Sequence, residues 1–294
     1  MKQINIANGQ GFWGDSIDAP VKLIKSGKID YLTLDYLAEV TMSIMQSQKL
    51  KDPEMGYARD FVQLIKNNIS DIVNNNIKVI ANAGGVNPKA CSQKILEICK
   101  KQNIDIKVGI IEGDDIFSDI DSLMQLGADF KNMDTGEEFS KIKDKVYSAN
   151  VYIDSFNVSK ALDLGAQIVL SGRITDPGLA VGPMIHEFGW SQNDYNLLAG
   201  GTLAGHIIEC GAQCTGGNYT NWKNVPDLSN IGYPIIKIDE KAAFSVYKLS
   251  NTGGIINRES ISEQILYEMG DPKNYISPDV KVDFTSFSIN DNND

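Results

Sequence analysis

Positive charge, histidine, cysteine and long apolar runs are all scarce in this sequence, and each scarcity narrows what the protein does. Lys and Arg number 27 against 38 Asp and Glu, a formal charge of −11. A chain that negative repels a polyanion, and no basic patch offsets the repulsion, so nucleic acid is excluded as a partner. No apolar run approaches the roughly 18–20 residues of a membrane span, so no membrane is expected either. Residues 1–8 carry one lysine and no apolar stretch, unlike a secretory signal. Four cysteines in 294 residues, with no C-x-x-C pair, fit reduced thiols in the cytoplasm and not a disulfide framework. What remains is ordinary for a folded chain, 42% hydrophobic and 22% charged, and long enough for one large core or a core with an appendage.

The dominant pattern is a short apolar run, a polar or glycine-rich turn, then a helical period. Strands are predicted over Ile4–Ala7, Tyr31–Leu34, Lys78–Ala81, Ile106–Ile111, Ala149–Ile153 and Gln167–Leu170. Helices fill the intervals, among them Tyr36–Gln48, Tyr57–Asn74, Leu179–Phe188 and Asp194–Cys210. Alternation of this kind predicts an α/β fold, a mostly parallel sheet flanked by helices with Rossmann-like layering. From Gly211 the character changes: two strands, a helix over Ser260–Met269 and a last strand over Val280–Ser288 predict an α+β appendage. The expected division is residues 1–210 as core and 211–294 as appendage.

In a parallel α/β sheet, ligands bind at the carboxyl ends of the strands. Polar, glycine-rich residues recur there: Asn8, Gly9, Gly11, Phe12 and Trp13 after the first strand, Asp35 after the second, and Asn82, Gly84 and Gly85 after the third. Glu112, Asp114 and Asp115 follow the fourth, and Arg173 and Asp176 the sixth. Two readings compete: a ligand-binding rim, or ordinary turn chemistry. The carboxylates have the chemistry to hold a divalent cation, but no spacing demands one.

The first loop contains a literal G-x-G-x-x-G at Gly9, Gly11 and Gly14, with Asp35 at the distance of a ribose-binding carboxylate. A dinucleotide is one reading. The other is a pocket-shaping loop with Phe12 and Trp13 as an apolar wall, because a helix cannot comfortably begin before Asp18–Pro20. Arg173, between Gly172 and an N-cap-like Asp176, is placed either to grip a carboxylate or phosphate or to pair with a rim carboxylate. His206, Glu209 and Cys210 lie at helical spacing on adjacent parts of one face. That arrangement serves acid–base work by His206 or Glu209, a Cys nucleophile, a metal site, or plain packing.

Several long motifs resemble the acyclic terpene utilisation family of the AtuA type. They are Asn8–Ser16, Asp30–Glu39, Asn82–Gly85, Ser171–Asp176, Gly205–Gln213 and Tyr267–Pro272, and the similarity spans about Ile4 to Phe287. The resemblance implies a part in breaking down citronellol- and geraniol-type compounds through branched acyl-CoA thioesters. It supplies no catalytic residue. Family members usually continue well past Pro278–Phe284, so a short version or a fragment is expected. The function read from residues and resemblance together is a lyase or hydratase-type enzyme. It would act on an acyl-CoA or carboxylated small molecule, with His206, Glu209 and Asp176 as the catalytic candidates. The alternatives are a nucleotide-dependent oxidoreductase and a non-catalytic subunit that binds a pathway enzyme. A homo-oligomer is the other partner expectation.

Overall fold

A computed structural model describes residues 1–291. Five strands run parallel in the centre: β1 (Gln3–Gln10), β2 (Tyr31–Leu34), β3 (Lys78–Ala81), β4 (Val108–Ile111) and β5 (Ile168–Ser171). Two more, β6 (Ile235–Asp239) and β7 (Phe244–Tyr247), add antiparallel beside β1, giving the order β4-β5-β3-β2-β1-β6-β7. The expected α/β fold is therefore the observed one. Strands from beyond residue 210 extend the same sheet, and only a small hairpin, β8 (Tyr275–Ile276) with β9 (Lys281–Val282), stands outside it.

The period of two along each strand divides the core into two layers. Leu32, Leu34, Val79, Ala81, Ile168 and Leu170 face one helical layer. That layer contains α1 (Asp18–Ser26), α2 (Glu39–Lys51), α3 (Arg59–Asn74) and α4 (Pro88–Lys101). Tyr31, Ile80, Val169, Ile236 and Ile238 face the other. It contains α6 (Phe156–Asp163), α7 (Gly178–Phe188), α8 (Tyr195–Ile208) and α9 (Arg258–Leu266), while α5 (Ile120–Gln125) lies out on the surface loop after β4.

Two expectations fail, each for a physical reason. Ala149–Ile153 is no strand: β4 pairs directly with β5, so the segment does not come between them, and it makes only isolated bridges, Asn150 to Asp115 and Ile153 to Ile174. Its Val151 and Tyr152 are exposed, whereas a central strand is covered on both faces. The last strand shrinks from Val280–Ser288 to Lys281–Val282, limited by the two-residue hairpin it pairs in.

The start of α2 is displaced in a way that builds the rim. The pattern extends a helix back to Tyr36, yet α2 begins at Glu39 because side chains from neighbouring strands capture the intervening backbone. The Tyr36 N–H donates to Asn82 Oδ1 (2.7 Å), the Leu37 N–H to Asp35 Oδ1 (3.1 Å), and the Leu37 carbonyl accepts from Arg173 Nη1 (2.9 Å).

Candidate active site at the carboxyl ends of the parallel strands

Three parts of the rim are joined by hydrogen bonds. In the middle, Asn82 Nδ2 donates to Asp35 Oδ1 at 2.6 Å. Burial lifts the Asp35 carboxyl well above its usual range, the Asp176 carboxylate adds to the lift, and Asn82 and Arg173 only partly oppose it. Beside it, Arg173 spends Nη1 on Asp176 Oδ1 (2.8 Å) and the Leu37 carbonyl, and Nη2 on the Tyr152 hydroxyl (3.1 Å). Its guanidinium also lies over the Tyr152 ring, 4.6 Å from the centroid. This side chain is buried and largely committed to the protein, so the pairing reading of Arg173 prevails over an open fork for a ligand anion. Behind it, Asp114 accepts from the Arg173 backbone N–H (2.8 Å) and from Asn150 Nδ2 (2.9 Å), and burial raises its carboxyl too.

The third part comes from α8. Asn8 Nδ2 donates to the Glu209 carbonyl at 3.2 Å, and an alanine Cβ at Gly11 would lie 2.5 Å from the Cys210 carbonyl carbon. The first loop therefore touches the end of α8, and only glycine allows that approach. His206 is buried against the stacked rings of Tyr275 and Phe284, with centroids 5.6 and 5.7 Å away. Its Nε2 faces the Ile265 carbonyl at 3.2 Å and its Nδ1 faces Glu209 Oε1 at 2.9 Å. A carbonyl only accepts, so Nε2 carries a hydrogen and the proton that titrates is shared between Nδ1 and Oε1. Both imidazole nitrogens are used. Glu209 keeps its second oxygen, Oε2, buried and without a partner, on a side chain 10% exposed.

The electrostatics match that geometry. Burial pushes the Glu209 carboxyl up to about 7; His206 pulls against the rise, and Asp176 and Glu268 add to it. Burial depresses His206, but the bonds to Glu209 and to the Ile265 carbonyl outweigh it and leave the imidazole above its usual value. The Cys210 thiol is pushed far up by burial and by Glu209, which removes the thiolate a nucleophile needs. Among the described residues no three His, Cys, Asp or Glu are grouped to hold a metal ion, so neither the thiol–imidazole set nor the rim carboxylates form a metal cage.

Other sequence candidates divide. Asn8, Gly9, Gly11, Asp35, Asn82 and Gly84 lie at the rim; Gly84 allows the Ser171 carbonyl within 2.6 Å of where a Cβ would be. Gly85 holds a φ of +56° against Met45 and serves the turn. Glu112 is exposed and pairs with Lys89 (3.1 Å), away from the cluster. The Phe12–Trp13 wall does not form: Phe12 is 60% exposed, while Trp13 packs on the α1–α4 side and donates Nε1 to Asp60 (3.0 Å).

The dinucleotide reading also fails on geometry. Gly9 lies inside β1, and Gly14 has a φ of +100° with open space around it, before α1 begins at Asp18. Among the described residues, the helix after the glycine loop begins only at Asp18, four residues beyond Gly14, so its N-terminus does not seat a pyrophosphate on the glycines. Millimolar NADH or NADPH is accordingly expected to leave the melting temperature unchanged in a thermal-shift titration; a saturable rise would restore the discarded reading.

Sequence reasoning missed Gln10, Gln213 and Gln264. Among the described residues, the buried side-chain polar atoms without partners are Gln10 Oε1, Tyr36 OH, Ser171 Oγ, Glu209 Oε2, Gln213 Oε1 and Gln264 Oε1. Gln10, Tyr36 and Ser171 end or follow strands β1, β2 and β5, and Gln264 donates to the His206 carbonyl at 3.4 Å. Buried polar atoms are normally paired, so these orphans stand out, although the Tyr36 ring lies in the α1–α4 core against Phe61 and not in the rim.

A family model of acyclic terpene utilisation family protein AtuA matches residues 4–294. The chain belongs to the AtuA family. No curated protein and no solved structure matches it. In this AtuA family member, the matched residues include Asn8, Asp35, Asn82, Arg173, Asp176, His206, Glu209 and Glu268 of the site. Among the described residues, no helix is long and apolar enough to cross a membrane.

Proposed function

We propose that this protein is a cytoplasmic acid–base enzyme of acyclic terpene breakdown. On this reading it adds or removes water, or moves a proton, on a branched carboxylic acid or its CoA thioester, with Glu209 as the group that touches substrate. One observation carries the proposal: a buried carboxyl near neutral pKa, tied by one oxygen to an imidazole and free at the other. When Oε2 takes a proton from substrate or water, the proton on Oε1 moves to His206 Nδ1. The resulting imidazolium is held by the Ile265 carbonyl and by the nearby Glu268 carboxylate. The reverse transfer delivers an acid. His206 has no free nitrogen and is the positioning residue. Asp176, bonded to Arg173, shapes the field.

The acidic rim constrains how such a substrate binds. Asp35 and Asp176 flank one committed arginine, and Glu209 and Glu268 lie near Asp176, so the phosphates of a thioester stay outside the rim while the acyl end enters. The orphaned oxygens of Gln10, Gln213, Gln264 and Glu209 are acceptors, which favours a substrate that offers hydroxyl or water hydrogens. A panel of branched acids and acyl-CoAs incubated in D2O and followed by mass spectrometry tests the proposal. Deuterium uptake, or gain or loss of water, on at least one member is expected. A folded protein that changes none of them would contradict it.

A further inference from the structure

On the far side of α8 lies a cavity of about 680 Å³, walled by Leu203 and Ile207 of α8, Val246 of β7, Ile261 and Ile265 of α9, and Phe287 of the tail. The size falls in the usual range for a small-molecule site. It is distinct from the carboxyl rim. Gly200, Leu203 and Ile207 share one face of α8 at helical spacing, while His206 and Glu209 occupy the neighbouring face. Ile265 separates the two, turning its side chain to the cavity and its carbonyl to His206 Nε2.

The charge of the wall is the unusual part. In a chain of net charge −11, Lys248 and Arg258 both line this space, beside the neutral polar side chains of Ser245, Asn257, Ser288 and Asn290. Lys248 Nζ donates to the Thr252 carbonyl at 2.9 Å, which fixes it in place. Arg258 is exposed at the first position of α9. Among the described residues the one acid on the wall is Asp291, whose Oδ1 accepts from the Arg258 backbone N–H at 3.1 Å. A space with an apolar wall from α8, α9 and β7 on one side and polar and basic residues on the other fits an aliphatic chain that ends in an anion.

We propose that this cavity binds a medium-length aliphatic carboxylate, its chain between α8, α9 and β7 and its carboxylate toward Lys248 and Arg258. The inference is independent of the role given to Glu209.

Isothermal titration of the full chain with decanoate and with 1-decanol tests it. Saturable binding of one decanoate per chain is expected. Arg258→Gln, a surface change, weakens decanoate about tenfold and leaves 1-decanol unchanged, since one charge-assisted contact is worth about that factor. Leu203→Trp, which fills the cavity, weakens both by tenfold or more. Glu209→Gln binds decanoate as the wild type does, so failure here and failure of the acid–base reading are separable. The proposal is overturned by absence of saturable decanoate binding. It is overturned equally if Arg258→Gln leaves decanoate unaffected, or if a folded Leu203→Trp protein binds both probes normally. If Leu203→Trp does not fold, the Arg258→Gln comparison alone decides.

Discussion

Glu209→Gln is expected to lower turnover of any substrate found in the D2O panel by 10²–10⁴-fold, the usual worth of a positioned acid or base. The fold survives, because the Gln amide donates to His206 Nδ1 as the protonated carboxyl does, and Nε2 keeps its bond to Ile265. Loss should appear in kcat, with KM little changed, since the amide occupies the same volume. An active Glu209→Gln protein would move the chemistry elsewhere on the rim.

The same substitution changes how stability depends on pH. A carboxyl raised from 4.5 to about 7 binds its proton more tightly in the folded chain than in the unfolded one. Across that window the folded state holds more protons, so stability falls as pH rises from about 4.5 to 7 and does not recover above it. Raised His206 acts in the same sense: its contribution is complete below the ordinary imidazole value and is lost as pH climbs through the folded one. Buried Asp35, Asp114 and Asp176, all raised, add to the trend. Glu209's share is on the order of 1–3 kcal/mol. Melting curves from pH 5 to 8 should therefore show the variant gaining on the wild type as pH rises. Parallel curves would contradict the raised value.

Gly11→Ala is expected to lower stability sharply. The new Cβ meets the Cys210 carbonyl carbon at 2.5 Å and the Gly211 nitrogen at 2.9 Å, and neither backbone atom can rotate away. A cost of about 3 kcal/mol is expected, visible as a lowered denaturation midpoint with unchanged slope. Gly270→Ala, whose Cβ would meet nothing within 4 Å, is the matched control and should be nearly neutral. Equal midpoints for the two variants would show that β1 and α8 do not meet as described.

What could be read from residues alone followed burial. β2 and β3 have the bounds their apolar runs predict, Tyr31–Leu34 and Lys78–Ala81, because two-sided burial marks a strand sharply at both ends. The pairing of His206 with Glu209 was legible from their spacing of three on a helix. Which of them holds the free lone pair was not, since the Ile265 carbonyl that occupies His206 lies fifty-nine residues away in sequence. The same holds for Arg173: its commitment to Leu37 and Tyr152 depends on backbone and ring positions that only tertiary structure supplies. Glu112 and Asp114 are two residues apart in one loop, yet the first faces solvent while the second lies beneath Gly172, and nothing in composition separates them. The glutamines were invisible because an orphaned oxygen is a property of surroundings and not of residue type.

Part of the acid behind the formal charge of −11 is gathered at one end of the sheet, where burial keeps Asp35, Asp176 and Glu209 neutral to higher pH than usual. Carbon-13 NMR of protein labelled at the glutamate δ-carbon tests this most directly, following each carboxyl from pH 4 to 9. One resonance titrating near 7 should vanish in Glu209→Gln. In His206→Gln it should titrate higher still, because the imidazole that opposes the rise is gone. A spectrum in which every glutamate titrates in the ordinary range, or in which the raised resonance survives Glu209→Gln, would contradict Glu209 as the proton carrier.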